Sequence, residues 1–330
     1  MTATFVSGAS GYLALRLVKE LILNGYSVVG SVRTEAAGQK LKRLLESDKF
    51  SYEIVEDIQS NGAFDQALKN HPEITVFLHT ASPIPSPGKN PETDILVPAI
   101  NGTLNALKAI KEFGPQIKRV VITSSIAALS SPFSEPAILN EESWSDITWE
   151  QAKETPRTAY YGSKAFSEKA AWEFVENEKP KFSLTTVNPS FVFGPQAFDG
   201  DVTPVLRSTG EFVNIILKLG PNDELPPFEG GFIDIGDVAK AHIAAFEKES
   251  TKNKRLLLSQ GYFDSQAILD VVRKNFPQLT QLPVGNPQVE AKPHAIHDNS
   301  ETKKLLGFEF QPFEAVVVAS VNQILAANKK

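Results

Sequence analysis

A tyrosine and a lysine four residues apart form a pattern that could do chemistry. They are Tyr160 and Lys164, in the segment AYYGSK at 159–164. Positions i and i+4 share one face of a helix, so a helix here would set the ammonium near the phenol. A nearby positive charge lowers the pKa of a phenol from about 10 toward the range useful for proton transfer. Tyr161 lacks this spacing, so the pattern favours Tyr160, although two surface residues would also satisfy it.

A serine at the end of a predicted strand could act with this pair. Ser125 closes the run RVVITSS at 119–125, and ligands bind at the carboxyl ends of strands in open α/β sheets. Its hydroxyl can donate a hydrogen bond to a substrate oxygen on which negative charge develops. Strand alternation turns Ser124 the other way. Asn101, at the start of a predicted helix, could hold a water or position Lys164, and a simple N-cap role fits it equally well.

A glycine-rich turn, VSGASGYLALRL at 6–17, predicts a phosphate-binding loop between a strand and a helix. Gly8 permits the tight turn, Gly11 lets the backbone approach a pyrophosphate, and Ala14 lets the helix pack closely on the strand. The helix N-terminus offers free N–H groups and the positive end of its dipole. A turn selected for packing alone explains the glycines equally well. The predicted dinucleotide contacts in this turn are Gly8, Ser10, Gly11, Tyr12 and Leu13.

An arginine further along supports the binding interpretation. Arg33 ends the second predicted strand, roughly 20 residues beyond the turn, where the adenosine ribose of a dinucleotide is expected. An arginine there favours a 2'-phosphate and so NADP over NAD, the alternative being a solvated surface residue; Glu35 lies close and complicates the preference. Asp57 could accept a hydrogen bond from the adenine amino group, whereas His79 is expected to be structural. Further predicted cofactor contacts are Ile58, Thr80, Ala81 and Ser82.

Composition excludes several other classes of protein. The 330 residues are 42% apolar and 22% charged, with a net charge of -6, which disfavours nucleic-acid and anionic-membrane partners. There is no cysteine, so disulfides, thiolate nucleophiles and cysteine-bound metals are excluded. The first predicted strand begins by residue 3, which leaves no room for a leader, and no apolar run approaches the roughly 20 residues of a membrane span. We therefore expect a cytoplasmic protein.

Strand and helix patterns alternate through the N-terminal half. Predicted strands lie at 3–8, 26–33, 50–57, 76–82, 119–125, 182–195 and 255–259, and predicted helices at 12–25, 37–47, 101–114, 237–248, 265–276 and 313–329. Continuous apolar strands between amphipathic helices predict an α/β fold, a Rossmann-type doubly wound parallel sheet. We expect a dinucleotide-binding domain at 1–190, to which 232–260 returns. Segments 191–231 and 261–330 would form a smaller C-terminal substrate lobe.

The glycine turn, Arg33, Ser125 and the Tyr160/Lys164 pair occur in order on the expected elements. This combination resembles the extended short-chain dehydrogenase/reductases over nearly the whole chain. Within them it is most similar to the fungal NADPH-dependent carbonyl reductases, the yeast methylglyoxal/isovaleraldehyde reductase group. The segments that carry the resemblance are VSGASGYLA, HTASP, PAINGT, ITSSIAA, NEESW, AYYGSK, EKAAWEF, NPSFVFGPQ and FIDIGDVAKAH.

The resemblance implies reduction of aldehydes or ketones to alcohols, with hydride from NADPH. It implies that Tyr160 supplies the proton, that Ser125 stabilises the carbonyl oxygen, and that Lys164 binds the nicotinamide ribose and tunes Tyr160. It also implies that the segment NPSFVFGP passes the nicotinamide carboxamide, through Pro189, Ser190 and Val192.

One position departs from the pattern of the yeast enzymes. They tend to have a second basic residue four positions after the arginine, where this chain has Ala37. Lys40 stands one helical turn further on and is the candidate to replace it. We therefore expect a weaker preference for NADPH over NADH than in the related enzymes.

Apolar residues near the strand ends could line a substrate pocket. The candidates are Ile84, Ile126, Phe133 and Phe191, beside Ser125, and ordinary core positions are the alternative. If they line the pocket, the substrate is an aliphatic or aryl ketone, a keto ester or a methylglyoxal-like carbonyl. Related enzymes often carry an aromatic residue where Ile126 stands, so a roomier pocket is expected here. HAIHD at 294–298 superficially suggests metal ligands, but no helix pattern supports it, and we expect no metal site.

Two other functions stay open at this point. A nucleotide-sugar epimerase or dehydratase shares the same catalytic residues, but it needs charged side chains to hold a nucleotide diphosphate. Arg207 and Arg255 are the only arginines between residues 158 and 272, which disfavours it. A non-catalytic NADP-sensing protein would usually lack the tyrosine or the lysine. We expect a monomer or a homodimer with a small carbonyl compound as substrate.

Overall fold

The computed structural model describes residues 2–84, 88–133, 138–286 and 295–328. The strands are β1 (Ala3–Ser7), β2 (Ser27–Val32), β3 (Phe50–Ile54), β4 (Ile74–His79), β5 (Arg119–Thr123), β6 (Ile138–Leu139), β7 (Ser183–Pro189), β8 (Phe191–Phe193), β9 (Glu229–Asp234), β10 (Arg255–Leu258), β11 (Gly261–Asp264) and β12 (Ile296–His297). The α-helices are α1 (Tyr12–Leu23), α2 (Glu35–Leu45), α3 (Asp65–Asn70), α4 (Val97–Phe113), α5 (Trp149–Ala152), α6 (Pro156–Glu178), α7 (Gly210–Leu217), α8 (Ile235–Glu247), α9 (Ser265–Asn275), α10 (Ser300–Leu306) and α11 (Phe313–Ala327).

Seven parallel strands form the central sheet, in the order β10-β7-β5-β4-β1-β2-β3. The first strand is buried along its whole length, as expected for a parallel strand that is covered on both faces. The strand order reverses between β1 and β4, which opens a crevice at their carboxyl ends. The predicted Rossmann-type doubly wound sheet is confirmed.

Helices cover both faces of this sheet. On one face, α1, α2 and α8 pack through a core that includes Leu17, Leu21 and Val238. On the other face, α3, α4 and α6 pack through a second core that includes Leu107 and Phe174. The apolar residues of the amphipathic helices thus meet the sheet, and the polar loops are left at its carboxyl edge.

A second, smaller sheet has the order β11-β9-β8 and packs against α7, α9 and α11. Its separate apolar core includes Phe193, Val213, Phe263 and Val317. The short strands β6 and β12 form a parallel pair of their own. The predicted return of the chain to the main sheet is made by α8, which packs on it, and by β10, which joins it, while β9 belongs to the smaller sheet. The predicted division into two domains stays a prediction.

Two predicted elements differ from those in the structure. The single strand expected at 182–195 is two strands in different sheets, because the chain leaves the central sheet after Pro189. Ser190 marks the break, and its N–H donates to the oxygen of Leu258 over 2.9 Å. The helix expected at 101–114 begins earlier, at Val97, because Pro98 is compatible with the first turn of a helix.

Candidate active site

Three predicted catalytic residues meet at the carboxyl edge of the sheet, between β5 and α6. Ser125 lies two residues beyond the end of β5, and its side chain is buried. The hydroxyl of Tyr160 donates a hydrogen bond to Ser125 Oγ over 3.3 Å. Lys164 Nζ donates to the main-chain oxygen of Thr123 over 3.3 Å. The structure therefore brings the three side chains together, as their sequence spacing predicts.

The start of α6 fixes the position of Tyr160. Thr155 caps the helix by accepting from the N–H of Thr158, and the side chain of Thr158 in turn accepts from the N–H of Thr155. Pro156 occupies the first turn, where its missing N–H and fixed φ are favourable. These local interactions set the helix start, and with it the turn that faces Ser125.

Burial dominates the protonation of the two titratable groups. It raises the pKa of Tyr160 above its ordinary value, and the hydrogen bond with Ser125 offsets part of this rise. It also lowers the pKa of Lys164 to about 8, while the charge of Glu168 acts in the opposite direction. This differs from the expectation that the lysine lowers the pKa of the phenol, because loss of water around the phenol outweighs other effects.

A buried carboxylate that the sequence analysis did not single out lies behind this group. Glu168 follows Lys164 by one helical turn and is inaccessible to solvent. Its carboxylate accepts hydrogen bonds from Ser124 Oγ (2.5 Å), Asn188 Nδ2 (2.6 Å), Arg255 Nε (2.6 Å) and Thr186 Oγ1 (3.0 Å). Asn188 also donates to the main-chain oxygen of Ser125 over 3.3 Å. The sequence did offer a signal for Glu168: it follows Lys164 by four residues, and positions i and i+4 share a helix face.

The glycine turn has the geometry that close backbone approach requires. Gly8 has a φ of +66°, and a Cβ added there would lie 3.1 Å from the Cβ of Ala81. Ser7 Oγ accepts from the N–H groups of Thr80 and Ala81, each over 3.0 Å, and contacts buried His79 Nδ1 at 3.0 Å. The ends of β1 and β4 are therefore tied together beside the turn, and His79 has a structural role in that link.

The N-terminus of α1 presents free main-chain donors at this turn. Gly11 is the N-cap, and the first main-chain bond of the helix runs from Leu15 N to Gly11 O over 2.8 Å. The N–H groups of Tyr12 and Leu13 consequently have no acceptor within the helix. The Tyr12 side chain is buried, and its hydroxyl donates to the oxygen of Gly194 over 2.7 Å. Tyr12 can therefore bind an anion through its main-chain N–H but not through its side chain.

A cleft of about 500 Å³ gathers several of the predicted cofactor residues. Its lining includes Arg33, Asp57, Ile58, Ser82 and Ile84. Arg33 is exposed and makes no ion pair with any residue that the structure describes. The assignment of Ile84 to the substrate pocket stays a prediction, since it shares this cleft with Arg33 and Asp57.

The charges near Arg33 are arranged differently from a simple basic patch. The carboxylate of Glu35 accepts from the hydroxyl of Tyr52 (2.5 Å) and the amide of Gln39 (2.8 Å), which hold it in place while it keeps its negative charge. Lys40 Nζ lies 2.6 Å from Asp201 Oδ1. The predicted substitute for a basic residue at Ala37 is therefore already paired with a carboxylate.

The segment after β7 supplies a further polar group. Ser190 is buried, and no residue in the described part of the chain hydrogen-bonds to its Oγ. It lies between Pro189, the last residue of β7, and Phe191, the first of β8, with Val192 partly buried next to them. An unpartnered buried hydroxyl at a sheet edge is unusual, and a ligand group can satisfy it.

Three apolar candidates for the substrate pocket differ in their exposure. Phe133 is 48% exposed and Phe191 is 39% exposed, whereas Ile126 is partly buried and packs against the group containing Leu257. The Phe191 ring contacts the rings of Phe212 and Phe263. Two large apolar side chains thus remain accessible, which an ordinary core position would not permit.

Asn101 lies where the sequence analysis did not expect it. It is inside α4, which begins at Val97, so the N-cap interpretation is wrong. Its side chain is exposed, and across the described ranges no hydrogen bond joins it to Lys164, whose Nζ donates to the main-chain oxygen of Thr123. A role for Asn101 through a bound water stays a prediction.

The HAIHD segment shows no metal-site geometry where it can be described. His294 falls outside the described residues, while His297 Nδ1 lies 2.8 Å from Ser259 Oγ. Among the residues that the structure describes, no group of three or more histidine, aspartate or glutamate side chains is placed to hold a metal ion.

Comparison with known proteins identifies the family. The model of the NAD dependent epimerase/dehydratase family matches residues 4–258. The chain belongs to this family. Among its members, the NADPH-dependent methylglyoxal reductase GRE2 of Saccharomyces cerevisiae is 42% identical, with 98% of each chain covered. A Candida albicans protein with the provisional name NADPH-dependent methylglyoxal reductase GRP2 is 51% identical, again over 98% of each chain.

A solved structure gives the same result. The crystal structure of Gre2 from Candida albicans in complex with NADPH is 44% identical to this chain, covers 99% of both chains and superposes with a TM-score of 0.94. The predicted membership of the extended short-chain dehydrogenase/reductases, within the epimerase/dehydratase family, is confirmed. So is the predicted likeness to the fungal reductase group.

Proposed function

We propose that this protein reduces aldehydes and ketones to alcohols with NADPH, using Tyr160 as the proton donor. The observation that carries the proposal is the hydrogen bond between Tyr160 and Ser125 at the carboxyl edge of the sheet. The relatives support it, because two are named NADPH-dependent methylglyoxal reductases and one structure contains NADPH.

The residues of the crevice fit NADPH. A Cβ on Gly8 would lie only 3.1 Å from the Cβ of Ala81, and a glycine at such a crowded position is expected where a backbone turn must approach a pyrophosphate. Free N–H groups at the start of α1 suit its phosphates. Exposed Arg33 suits the 2'-phosphate, and the unpartnered Oγ of buried Ser190 suits the carboxamide of the nicotinamide. The polar groups that the fold leaves available therefore match in kind the polar groups of the cofactor.

In the proposed mechanism, bound NADPH supplies the hydride that reduces the carbonyl carbon. Tyr160 donates its hydroxyl proton to the carbonyl oxygen, and Ser125 donates a hydrogen bond to the same oxygen as its charge grows. Lys164 holds the nicotinamide ribose and places a positive charge near Tyr160. Burial raises the pKa of Tyr160, so the phenol stays protonated at neutral pH and is ready to act as an acid.

The substrate class follows from the apolar residues near the site. Phe133 and Phe191 have accessible rings, Phe191 lies two residues after the end of β7, and apolar pockets with a few polar groups are typical of small-molecule sites. We propose aryl or aliphatic ketones, keto esters and methylglyoxal-like aldehydes as substrates. Their carbonyl oxygen would point to Tyr160 and Ser125, with the remainder of the molecule against the apolar side chains.

The epimerase or dehydratase alternative is disfavoured by the positions of two arginines. Arg255 donates to the buried carboxylate of Glu168 over 2.6 Å, and Arg207 donates to the main-chain oxygen of Ser10 over 2.5 Å. Arg255 is thus held by Glu168, and Arg207 is held at the glycine turn beside Ser10, so neither is placed to hold a nucleotide-sugar diphosphate in the predicted substrate lobe. The retained Tyr160 and Lys164 disfavour the sensor alternative, because binding alone does not require a proton donor.

A carbonyl panel tests the proposal. NADPH absorbance is followed on adding methylglyoxal, an aryl ketone, a keto ester and a branched aldehyde, with NADH in parallel and chiral analysis of the alcohols. We expect NADPH oxidation with several members and none with an amine or a carboxylic acid as control. NADPH binding without reduction of any carbonyl would instead identify a dinucleotide sensor.

Location and assembly stay predictions. No helix among the described residues is both long enough and apolar enough to cross a membrane. We propose a cytoplasmic protein, monomeric or homodimeric, which size-exclusion chromatography with light scattering would test for its assembly state.

A further inference from the structure

A second group of charges lies against the glycine turn. In a cavity of about 320 Å³, Ser10 and Ala37 meet Lys40, Asp201 and Arg207. Ser10 belongs to the turn, and Ala37 and Lys40 belong to α2, which follows Arg33 after one residue. Asp201 and Arg207 come from the segment between β8 and α7. Tertiary folding thus carries an arginine to the dinucleotide turn from a remote part of the sequence.

The guanidinium of Arg207 is held in place, but only some of its N–H donors are engaged. Its Nη1 donates to the main-chain oxygen of Ser10 over 2.5 Å, and its Nη2 lies 3.7 Å from Asp201 Oδ1. The side chain is 40% exposed. A guanidinium has five N–H donors, so these contacts leave donors free for an approaching anion.

The local charge balance is positive. The Asp201 side chain is only 2% exposed, and its Oδ1 faces both Lys40 Nζ at 2.6 Å and Arg207. No residue in the described ranges hydrogen-bonds to its Oδ2. One carboxylate therefore stands between two cations, and a net positive charge remains beside Ser10. Glu35, the acidic residue of α2, keeps its negative charge but is not among the residues that line this cavity; it accepts from Tyr52 and Gln39.

The anion expected here is the phosphate on the adenosine ribose. That ribose is expected where β2 ends, at Arg33, and the 2'-phosphate of NADPH is expected there with it. Ala37 gives it no basic partner on the first turn of α2. A planar guanidinium suits a phosphate well, because it can donate two parallel hydrogen bonds.

We propose that Arg207 is a second binding residue for the 2'-phosphate of NADPH and helps to set the preference for NADPH over NADH. Ser10 holds the guanidinium at the turn, and Asp201 restrains it and partly offsets its charge. The inference rests on the proposed function, since it requires a dinucleotide at the glycine turn.

Binding measurements test this without any turnover. The dissociation constants of NADP⁺ and NAD⁺ are measured by calorimetry for the wild type, Arg207→Ala and Arg207→Gln, the last keeping an amide donor for Ser10. Arg43→Ala is the matched control, because it removes an exposed arginine from the last turn of α2. Adenosine 2',5'-bisphosphate and AMP serve as fragments with and without the 2'-phosphate.

We expect both Arg207 variants to weaken NADP⁺ and adenosine 2',5'-bisphosphate by roughly 10- to 100-fold, the effect of one lost charged hydrogen bond. NAD⁺, AMP and the Arg43→Ala control should change less than about twofold. Asp201→Asn should act in the opposite direction and tighten NADP⁺, because it removes the charge that offsets the two cations.

An equal loss of affinity for NADP⁺ and NAD⁺ would overturn the inference, because it would mean that Arg207 binds the pyrophosphate or only maintains the structure of the turn. An unchanged NADP⁺ affinity in both variants would overturn it as well. A wild type that binds neither dinucleotide would overturn the proposed function itself, and the inference with it. Circular dichroism melting of each variant shows that the comparison is made between folded proteins.

Discussion

Arg255 and Glu168 form an ion pair, Nε to Oε1 at 2.6 Å, in which the side chains are 10% and 0% exposed. The same carboxylate accepts hydrogen bonds from the side chains of Ser124 and Asn188. Ser124 precedes Ser125 in the chain, and Asn188 donates to the main-chain oxygen of Ser125. The guanidinium also covers the Trp144 ring, 3.8 Å from its centroid. An interaction deep in the protein thus fixes the strand ends next to Ser125, the proposed catalytic serine.

Breaking this pair should destabilise the protein strongly. Arg255→Met leaves the Glu168 carboxylate buried without its cation, and we expect a loss of about 3–5 kcal/mol in the free energy of unfolding. Urea denaturation measures it. Lys111→Met is the control, because the Lys111–Glu178 pair is nearly half exposed and should contribute less than about 1 kcal/mol. Equal effects of the two substitutions would contradict the prediction.

Removing the phenol oxygen should separate chemistry from binding. Tyr160→Phe keeps the ring but loses the proton and the bond to Ser125, so kcat should fall by roughly 100- to 10,000-fold. The dissociation constant of NADPH, measured by fluorescence, should stay within about twofold, because the ring packing is retained. Tyr161→Phe alters the adjacent residue and should keep most of the activity. Near-normal turnover in Tyr160→Phe would remove Tyr160 from its assigned role.

The rate of reduction should decline at alkaline pH. Burial lowers the pKa of Lys164 to about 8, so its ammonium is present below this pH and is lost as the pH rises through it. Tyr160 does not give the same decline, because its pKa is raised. We therefore expect kcat/KM to fall above about pH 8. Measuring kcat/KM at intervals from pH 6 to about 10 tests this.

A variant identifies the group behind this pH dependence. Glu168 raises the pKa of Lys164, so Glu168→Gln should move the decline to lower pH, provided that melting shows a folded protein. A decline at an unchanged pH in that variant would show that another group titrates.

Adding one methyl group at the turn should weaken dinucleotide binding. Gly8→Ala forces an alanine into a φ of +66° and sets its Cβ 3.1 Å from that of Ala81. The left-handed backbone alone costs about 1–2 kcal/mol. Affinity for NADPH and the melting temperature should both fall. Gly220→Ala is the control, because its Cβ would find only an ordinary contact at 3.5 Å; a similar loss in both variants would contradict the prediction.

The sequence predicts the parts of the site that depend on local spacing. Tyr160 and Lys164 meet Ser125 because one helix turn and one strand end fix them, and strand alternation correctly sends Ser124 to the opposite side, toward Glu168. The N-cap prediction for Asn101 was wrong for a local reason too. Pro98 is tolerated in the first turn, so the helix begins before the asparagine.

Contacts between distant residues could not be predicted in this way. Arg207 reaches Ser10 across 197 residues of sequence, and neither residue belongs to a periodic pattern that pairs it with the other. Likewise, the break at Ser190 depends on which sheet each half of NPSFVFGP joins. The pKa of Tyr160 depends on how much water the folded protein excludes, and the spacing of a lysine does not report that.

The position of β10 means that the central sheet cannot be completed until the residues of the smaller sheet from β8 to β9 have been synthesised. This edge strand pairs with β7, yet it is translated only after the residues of the smaller sheet from β8 to β9. A nascent chain that ends at residue 195 exposes the edge of β7 and lacks the cation for its buried glutamate. Such a fragment has an open strand edge that invites aggregation. The part of the chain up to residue 195 is therefore no detachable module, and transplanting it into another protein would require β10 to go with it.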